Sequence, residues 1–285
     1  MKTTTKQLLG EFFASLVLGY LGLGVVVSMV VYGSVVGTME FGIAFSFIIA
    51  CDIIVFGPIS GAHFNPAVTL SMAIWNGFPK KMVLPYWIMQ ISGWGVGAAL
   101  LYATFGADIA AYETANGIIR GSAASAATAG IFFCSTKNAW IGIIAEFMMT
   151  AFLLIVVNAC IDPKNGNRPS AALFPLIIGF TCGFLVMFGA SLTGTAINPA
   201  RDFGPRTVAW LFGWGEVAFP GKWFVYWIGP IAGGISGGAA YKFFISKLIT
   251  TVDANYKDES APIVEKYSDI VYTVDNTLNE DIKVV

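Results

Sequence analysis

The sequence contains the stretch SGAHFNPA at residues 60–67, and residues 193–201 repeat its pattern as TGTAINPAR. In each copy the Asn-Pro-Ala triplet leads into an apolar run, residues 68–75 or 203–212, that is too short to cross a bilayer. One such triplet is a common capped turn, but two copies with similar flanks form a specific pattern. The chain is therefore organised around two matching polar loops, each followed by a short buried helix.

The asparagine and proline of each loop carry the signals of a helix N-terminus. Proline is favoured at the first helical position, because its missing N–H is not needed there. Asn65 and Asn198 precede Pro66 and Pro199, at the position where capping residues belong. Each asparagine therefore stands at the positive end of a helix dipole. We expect its side-chain amide to be free to donate into the space in front of it.

The composition is that of a membrane protein. Of the 285 residues, 56% are hydrophobic and 12% are charged, which is typical of a chain with several membrane spans. The four cysteines are scattered, so the sequence indicates no disulfide framework. With a single histidine it also indicates no metal centre and no catalytic nucleophile paired with a base. We expect an integral membrane protein that is not an enzyme, holds no metal or cofactor and binds no nucleic acid.

Six further stretches are apolar enough to be full spans, close to the ~20 residues that a bilayer core requires. The first could be mistaken for a secretion signal, but it is too long and lacks a cleavage site. The sequence therefore predicts an all-α membrane protein of six transmembrane helices and two half-helices. The predicted spans are residues 10–32, 41–56, 84–105, 140–161, 174–190 and 224–247.

The two halves of the chain, residues 8–106 and 140–248, repeat each other beyond the loops. Glu11 is matched by Glu146 early in the first span of each half. The last spans carry matching pairs of glycines, which allow close helix packing. Because each half has an odd number of spans, the second half is inverted and the half-helices meet near the midplane. The paired glycines are Gly93 and Gly97, and Gly233 and Gly237.

Positive charge predicts the orientation in the membrane. Placing both termini in the cytoplasm puts eight lysines and arginines inside and four outside, with Arg201 in the membrane. Residues 249–285 hold eight acidic residues and three lysines with little periodicity, so we expect a disordered cytoplasmic tail. The four residues placed outside are Arg120, Lys137, Arg206 and Lys222.

The segments SGAHFNPAVT and TGTAINPARDFGPR resemble the paired signatures of the major intrinsic proteins, the aquaporins and glycerol facilitators. The resemblance covers residues 8–248 and implies an aquaporin-like inverted repeat, with residues 1–248 as a channel domain. It also implies passive facilitated diffusion and a homotetramer in which each protomer has its own pore. Asp202 after Arg201, and the segment 112–122, resemble the glycerol-facilitator branch, the aquaglyceroporins.

The resemblance also implies roles for individual residues. Arg201 forms the charged side of an external constriction, and an arginine in an apolar half is in any case a functional residue by default. Glu11 and Glu146 support the two loops from behind by accepting backbone N–H bonds, while the ring of His63 is structural. The pore motif residues are Asn65, Pro66, Ala67, Asn198, Pro199 and Ala200. The residues whose carbonyls line the path are Gly61, Ala62, His63, Gly194, Thr195 and Ala196.

The predicted constriction departs from the usual glycerol filter. Phe45 falls where glycerol channels usually have tryptophan, and Thr195 falls where they usually have phenylalanine. The fourth residue of the constriction is Val186 if it is matched by residue count, or Gly189 if it is matched by local sequence. Neither is the histidine that narrows water-only pores. We therefore expect a fairly open constriction that passes glycerol, other small polyols or similar neutral solutes, with water as a co-permeant.

Two acidic residues are further candidates for the site. Asp52 lies seven residues after Phe45, hence on roughly the same helical face, which by the resemblance borders the pore. The sequence leaves open whether Asp52 lines the pore or is buried and hydrogen-bonded to a neighbouring helix. Asp202, next to Arg201, is the second candidate.

Four other functions stay open at this point. The same fold could form a water-selective channel or a channel for small organic acids. A proton-coupled transporter would also use an inverted repeat with broken helices, and Asp52 could then carry the proton. A membrane adhesion or scaffold protein could use the tail to bind partners. We favour a passive channel in the inner membrane of a bacterium.

Overall fold

The computed structural model describes residues 3–34 and 37–249. Within these residues every regular element is helical, which confirms the predicted all-α class. The acidic tail predicted for residues 249–285 lies, apart from its first residue, outside the described residues.

The main helices of the described residues fall into two series of four, and short helical segments also occur at residues 123–129 and 210–217. Among the described residues, five are long and apolar enough to span a membrane. The sixth predicted span consists of three consecutive helical elements, Val225–Ala240, Tyr241–Ile245 and Ser246–Leu248. The first series is α1 (Thr3–Val30), α2 (Thr38–Ser60), the half-helix α3 (Pro66–Trp75) and α4 (Lys80–Ala115). The second is α5 (Ala139–Ile161), α6 (Phe174–Thr193), the half-helix α7 (Pro199–Ala209) and α8 (Val225–Ala240).

Helix α4 is longer than the sequence pattern predicts. It runs to Ala115, ten residues past the predicted end at Phe105, so the predicted external loop 112–122 begins inside a helix. At 1.5 Å per residue its 36 residues extend for about 54 Å, well beyond a hydrocarbon core of about 30 Å. The added segment GADIAAYETA is rich in alanine, the best helix former, so it continues the helix outside the membrane.

Helices α2 and α6 end immediately before the two loops. Each is closed by a glycine in the left-handed conformation, Gly61 with φ 88° and Gly194 with φ 78°. A left-handed residue just past a helix end satisfies its last carbonyls and turns the chain. Short connections then lead into α3 and α7, which start at Pro66 and Pro199 as predicted.

Corresponding helices of the two series make corresponding contacts. Helix α1 packs on α4, α5 packs on α8, and α2 packs on α6 across the two halves. Each half-helix lies against the last helix of the opposite series, α3 on α8 and α7 on α4. The paired glycines permit the close packing, since a Cβ atom on any of them would collide with a backbone oxygen of the facing helix. These oxygens belong to Phe12 and Leu16 for α4, and to Phe147 and Ala151 for α8.

Candidate functional site

Each loop asparagine caps the half-helix that follows it. Asn65 Oδ1 accepts a hydrogen bond from Ala67 N at 2.9 Å. Asn198 Oδ1 accepts from Ala200 N at 2.9 Å and from Arg201 N at 3.3 Å. These bonds satisfy backbone N–H groups that a helix leaves unpaired in its first turn. The side chains are therefore fixed at the N-terminal ends of α3 and α7.

The same asparagines join the two loops to each other. Asn65 Nδ2 donates to Ile197 O at 2.8 Å, and Asn198 Nδ2 donates to Phe64 O at 2.9 Å. An amide group carries two N–H hydrogens, so one hydrogen on each asparagine is used by the opposite loop. This corrects the expectation of a fully free amide. The cross-bond also fixes the direction in which the second hydrogen points.

The loop backbones adopt unusual conformations at matching positions. In each loop three residues have positive φ, and two of these three are not glycine. A non-glycine residue in this region costs of the order of 1–3 kcal/mol and persists only where its surroundings hold it. The angles are 88°, 49° and 34° at Gly61, Ala62 and Phe64, and 78°, 52° and 45° at Gly194, Thr195 and Ile197.

Two glutamates hold these strained backbones. The side chains of Glu11 and Glu146 are fully buried, and each accepts two consecutive backbone N–H bonds from the loop of its own half. Hydrogen bonds to a carboxylate are shorter and stronger than those between neutral groups. The accepted groups are His63 N (3.0 Å) and Phe64 N (2.7 Å) for Glu11, and Ala196 N (3.0 Å) and Ile197 N (2.6 Å) for Glu146.

Two tyrosines complete the support of the loops, and the sequence analysis assigned them no such role. Tyr86 Oη donates to Ser60 O at 2.8 Å, and Tyr226 Oη donates to Thr193 O at 3.0 Å. Both rings are almost fully buried. The Tyr-Trp dipeptide repeated at residues 86–87 and 226–227 was the signal that could have indicated them.

A cavity of about 340 Å³ runs along the two loops and both asparagines contribute to its wall. Residues of both loops form part of its wall, and the rest of the lining is largely apolar. The loop residues in the wall are Gly61, Ala62, His63, Phe64, Thr195, Ala196 and Ile197. The apolar side chains include Leu18, Ile49, Ile53, Val68, Met72, Leu153, Val157, Ile178 and Val186.

Four of the five residues predicted for the constriction line this cavity, namely Phe45, Val186, Thr195 and Arg201. Of the two residues considered for the fourth position, Val186 lines the cavity and Gly189 does not. A Cβ atom at Gly189 would collide with Met149 Sδ and Thr195 Oγ1, because the helix backbone lies directly against these side chains.

Arg201 lies at the cavity wall with its side chain almost fully buried. Its Nη1 donates to Phe132 O at 3.1 Å. Among the described residues no carboxylate lies within ion-pair distance of Arg201, whereas Arg206 and Arg120 each have one. Its positive charge is therefore not neutralised by a direct acidic partner and acts on the cavity.

Gly194 differs from the other residues predicted to supply pore carbonyls. It is absent from the cavity wall, and its carbonyl accepts a hydrogen bond from Cys134 Sγ at 3.3 Å. The left-handed conformation of Gly194 turns this carbonyl towards the segment before α5. The cavity wall therefore includes five of the six predicted carbonyl residues.

Asp202 and Arg206 form a fully buried ion pair that sequence reasoning missed. Arg206 Nη2 lies 2.8 Å from Asp202 Oδ1, and Arg206 Nε donates to Asp202 Oδ2 at 2.8 Å. Asp202 also accepts from Cys134 N at 2.9 Å. Arg206, which the sequence analysis counted among the external charges, has no exposed surface. The spacing of four residues on one helix was the available signal.

Asp52 lies away from the cavity wall, whereas His63 belongs to it and its ring contacts neighbouring residues. Asp52 is 2% exposed, does not line the cavity, and among the described residues neither of its carboxyl oxygens has a hydrogen-bond partner. Neither of the two roles left open by the sequence fits. The ring of His63 shares a hydrogen bond of 3.2 Å with Thr69 Oγ1 and packs against Phe78. Within the described residues no cluster of three potential metal ligands occurs.

Comparison with known proteins identifies related channels. The chain is 36% identical over 257 residues to a glycerol uptake facilitator protein of Escherichia coli, covering 86% of this chain and 90% of the relative. It is 34% identical over 249 residues to the propanediol uptake facilitator PduF of Citrobacter freundii, covering 85% and 92%. The X-ray structure of the aquaglyceroporin from Plasmodium falciparum superposes with a TM-score of 0.75 at 22% identity, covering 86% of this chain and 98% of that one.

The structural neighbour supports the fold, which combines six spans with two half-helices whose loops meet. The family described as "Major intrinsic protein" matches residues 1–241, which is most of the chain. The relatives are similar over nearly their whole length. The chain therefore belongs to the major intrinsic protein family.

Proposed function

We propose that this protein is a passive channel for glycerol and similar small neutral solutes, with water as a co-permeant. The observation that carries the proposal is the cavity at the two loops, whose wall combines residues of both loops with largely apolar side chains. A polyol has two faces, with hydroxyl groups along one and carbon along the other. The names of the relatives, glycerol and propanediol uptake facilitators, agree with this solute class.

In this mechanism the loop backbones replace the water around solute hydroxyl groups. The carbonyls of Gly61, Ala62, His63, Thr195 and Ala196 accept hydrogen bonds in sequence along the path. Glu11 and Glu146 accept hydrogen bonds from N–H groups of the same loops. The backbone groups that remain to face the cavity are therefore mainly carbonyl oxygens. The solute moves down its own gradient, because nothing in the proposed path couples it to another ion.

The constriction selects by size and charge. Phe45 and Val186 supply apolar surface, Thr195 supplies a small partly polar surface, and Arg201 donates hydrogen bonds to a hydroxyl group or to water. The unneutralised charge of Arg201 repels cations. Dehydrating any ion in this narrow path is costly, since the loops replace only part of its hydration shell.

Protons are excluded at the contact between the loops. The N-terminal ends of α3 and α7 both face this point and their dipoles disfavour a positive charge there. Each asparagine has one N–H left after its cross-bond, and two such donors orient a water molecule as an acceptor. A water held in that way cannot pass a proton along the file of waters.

The remaining parts of the proposal concern the assembly and its place in the cell. Residues 1–248 form the channel domain, with repeats at residues 8–106 and 140–248 and a cytoplasmic tail at residues 249–285. We expect a homotetramer in which each protomer contains a pore. Both termini face the cytoplasm of a bacterial inner membrane, as the distribution of lysine and arginine indicates.

The test is stopped-flow light scattering of liposomes that contain the purified protein, challenged with glycerol, 1,2-propanediol, larger polyols, small organic acids and water. We expect glycerol and propanediol to enter well above the rate of empty liposomes, without saturation, and larger polyols to be excluded. A pH-sensitive dye inside the same liposomes should report no added proton leak.

Two results would contradict the proposal. A glycerol rate equal to that of empty liposomes, beside fast water flux, would make the protein a water channel. Solute uptake that requires a pH gradient would make it a coupled transporter.

A further inference from the structure

Helix α4 contributes one residue to the cavity wall, Trp94, and the proposed mechanism gives this residue no role. Its side chain is buried, with 2% of its surface exposed. The last helix of the second half, α8, contributes no residue to the wall among those that the structure describes. Because tryptophan has the largest side chain found in proteins, its presence in the wall affects the width of the path.

Two glycines of α1 place Trp94 close to the level of Phe45. A Cβ atom at Gly19 would lie 2.8 Å from Trp94 O, and one at Gly22 would lie 3.0 Å from the ring of Phe45. The two glycines are three residues apart, which is less than one helical turn and about 4.5 Å along the axis. Trp94 of α4 and Phe45 of α2 therefore lie against the same turn of α1.

A glycine of α7 places Trp94 close to Arg201 in the same way. A Cβ atom at Gly204 would lie 3.1 Å from Trp94 Cβ, and Gly204 is three residues after Arg201. Residues three apart are neighbours on one face of a helix. Trp94 therefore lies where α1 and α7 meet α4, within about one helical turn of Phe45 and Arg201, which line the same cavity.

The other half of the molecule has no side chain at the matching position. The glycine pairs of α4 and α8 align Trp94 with Gly234. A Cβ atom at Gly234 would lie 3.0 Å from Ala67 O of the half-helix α3, so the two backbones are in close contact there. The repeat can therefore be built without a large residue at this position. The indole narrows only the part of the cavity that contains Arg201.

The indole of Trp94 is not held by a hydrogen bond. Its Nε1 has no partner among the described residues, although a buried indole N–H usually has one. Trp87 on the same helix shows the contrast, since its Nε1 donates to Pro66 O at 3.1 Å. A phenylalanine at position 94 would therefore lose ring volume but no hydrogen bond. The size of the ring is the property that such a replacement changes.

We propose that Trp94 is a size-determining residue of the channel, in addition to the residues predicted for the constriction. The inference rests on the proposed function, since it concerns which solutes the same path admits. The indole supplies the α4 side of the wall beside Phe45 and Arg201. It leaves room for glycerol and excludes bulkier polyols, so a smaller side chain at this position admits them.

The test is stopped-flow measurement of glycerol and erythritol flux into liposomes that contain wild-type protein, Trp94→Phe or Trp94→Leu at matched protein content. We expect the erythritol-to-glycerol ratio to rise about tenfold for Trp94→Leu, a barrier lower by about 1.4 kcal/mol, and by a smaller factor for Trp94→Phe. Trp140→Phe is the matched control, because Trp140 is 76% exposed and lies outside the cavity wall. Its ratio should equal the wild-type value.

Two outcomes would overturn the proposal and leave the channel function intact. One is an unchanged ratio for both folded Trp94 variants, beside normal glycerol flux through the wild-type protein. The other is a Trp94→Phe protein that fails to fold. Because phenylalanine loses no hydrogen bond, that failure would show that the indole is needed for packing. A wild-type glycerol rate equal to that of empty liposomes would instead contradict the proposed function, and this inference with it.

Discussion

Thr195 combines a left-handed backbone with a side chain at the cavity wall. Its φ is 52°, and its Oγ1 donates to Leu185 O at 3.4 Å, so the hydroxyl group is directed to α6. Glycerol channels usually have a phenylalanine at this position, which would supply an apolar wall for the carbon backbone of a polyol. Threonine is smaller and leaves more of Arg201 accessible to water.

We predict that Thr195→Phe lowers water permeability more than glycerol permeability and so raises the glycerol-to-water ratio. An aromatic contact contributes about 1 kcal/mol and 1.4 kcal/mol is about a tenfold change in rate, so a several-fold change is expected. Both permeabilities are measured on the same liposomes at matched protein content. Thr195→Val, which keeps the volume, is the control. An unchanged or lowered ratio would show that Thr195 does not control the constriction.

Glu146 supports the second loop by accepting two backbone N–H bonds and one from Thr193 Oγ1 at 2.7 Å, and this gives a second prediction. Glu146→Gln replaces one acceptor oxygen by an N–H₂ group that faces a backbone N–H. We expect a loss of about 1–3 kcal/mol of stability and reduced glycerol flux, without any new pH dependence. Thermal unfolding in detergent and liposome flux measure both effects, with Glu40→Gln on the exposed first turn of α2 as control. A stable variant that loses pH-dependent uptake would support a transporter instead.

Single residues were predictable where the sequence repeats itself. Glu11, Glu146 and the two asparagines occur in matched pairs, and the structure places each pair at the loops. Arg206 and Asp52 occur once and have no counterpart in the other half. Their environments depend on which helices meet, and no local pattern encodes that.

At the scale of the helices, glycine determines how closely the elements approach. Gly233 on α8 lies so close to Phe147 O on α5 that a methyl group has no space. Gly93 on α4 makes the corresponding contact with Phe12 O on α1. The backbone at Phe147 or Phe12 cannot move away without shifting the glutamate one residue before it, which supports the loop.

We therefore predict that Gly233→Ala destabilises the protein by about 1–3 kcal/mol, the usual cost of overpacking. Gly24→Ala is the matched control on α1, because its new methyl would lie 3.7 Å from Leu101 Cδ1. That change should be neutral or stabilising by up to about 1 kcal/mol, since alanine favours a helix. The unfolding temperatures of the two variants test this prediction. Equal temperatures would show that the close contact at Gly233 does not limit the stability.

The helices themselves were predictable from hydropathy and capping, but their lengths were not. From sequence, a membrane span is predicted to end where the apolar residues stop. Helix α4 continues for ten residues beyond that point. The extension is anchored by tertiary contacts. Glu113 at its end pairs with Arg120 at 2.8 Å and accepts from Thr128 Oγ1 at 2.6 Å. Arg120 and Thr128 lie outside the apolar stretch by which a span is recognised in the sequence.

At the scale of the whole molecule, the two halves form one structure in which each half completes the other. Helix α2 packs on α6, and each half-helix packs on the last helix of the opposite half. The asparagine cross-bonds then close the contact at the centre. The inverted repeat explains why two copies of one short motif were enough to predict the fold class.

The central claim is that solute passes through the cavity between the loops, and one pair of variants tests it on a single helix. Val186 of α6 lines the cavity and is 5% exposed, whereas Phe184 of the same helix is 54% exposed on its outer face. The measurement is glycerol flux into liposomes that contain Val186→Trp or Phe184→Trp at matched protein content. We predict a loss of about tenfold or more for Val186→Trp, equivalent to at least 1.4 kcal/mol of added barrier, and little change for Phe184→Trp. Equal flux through two folded variants would contradict the account.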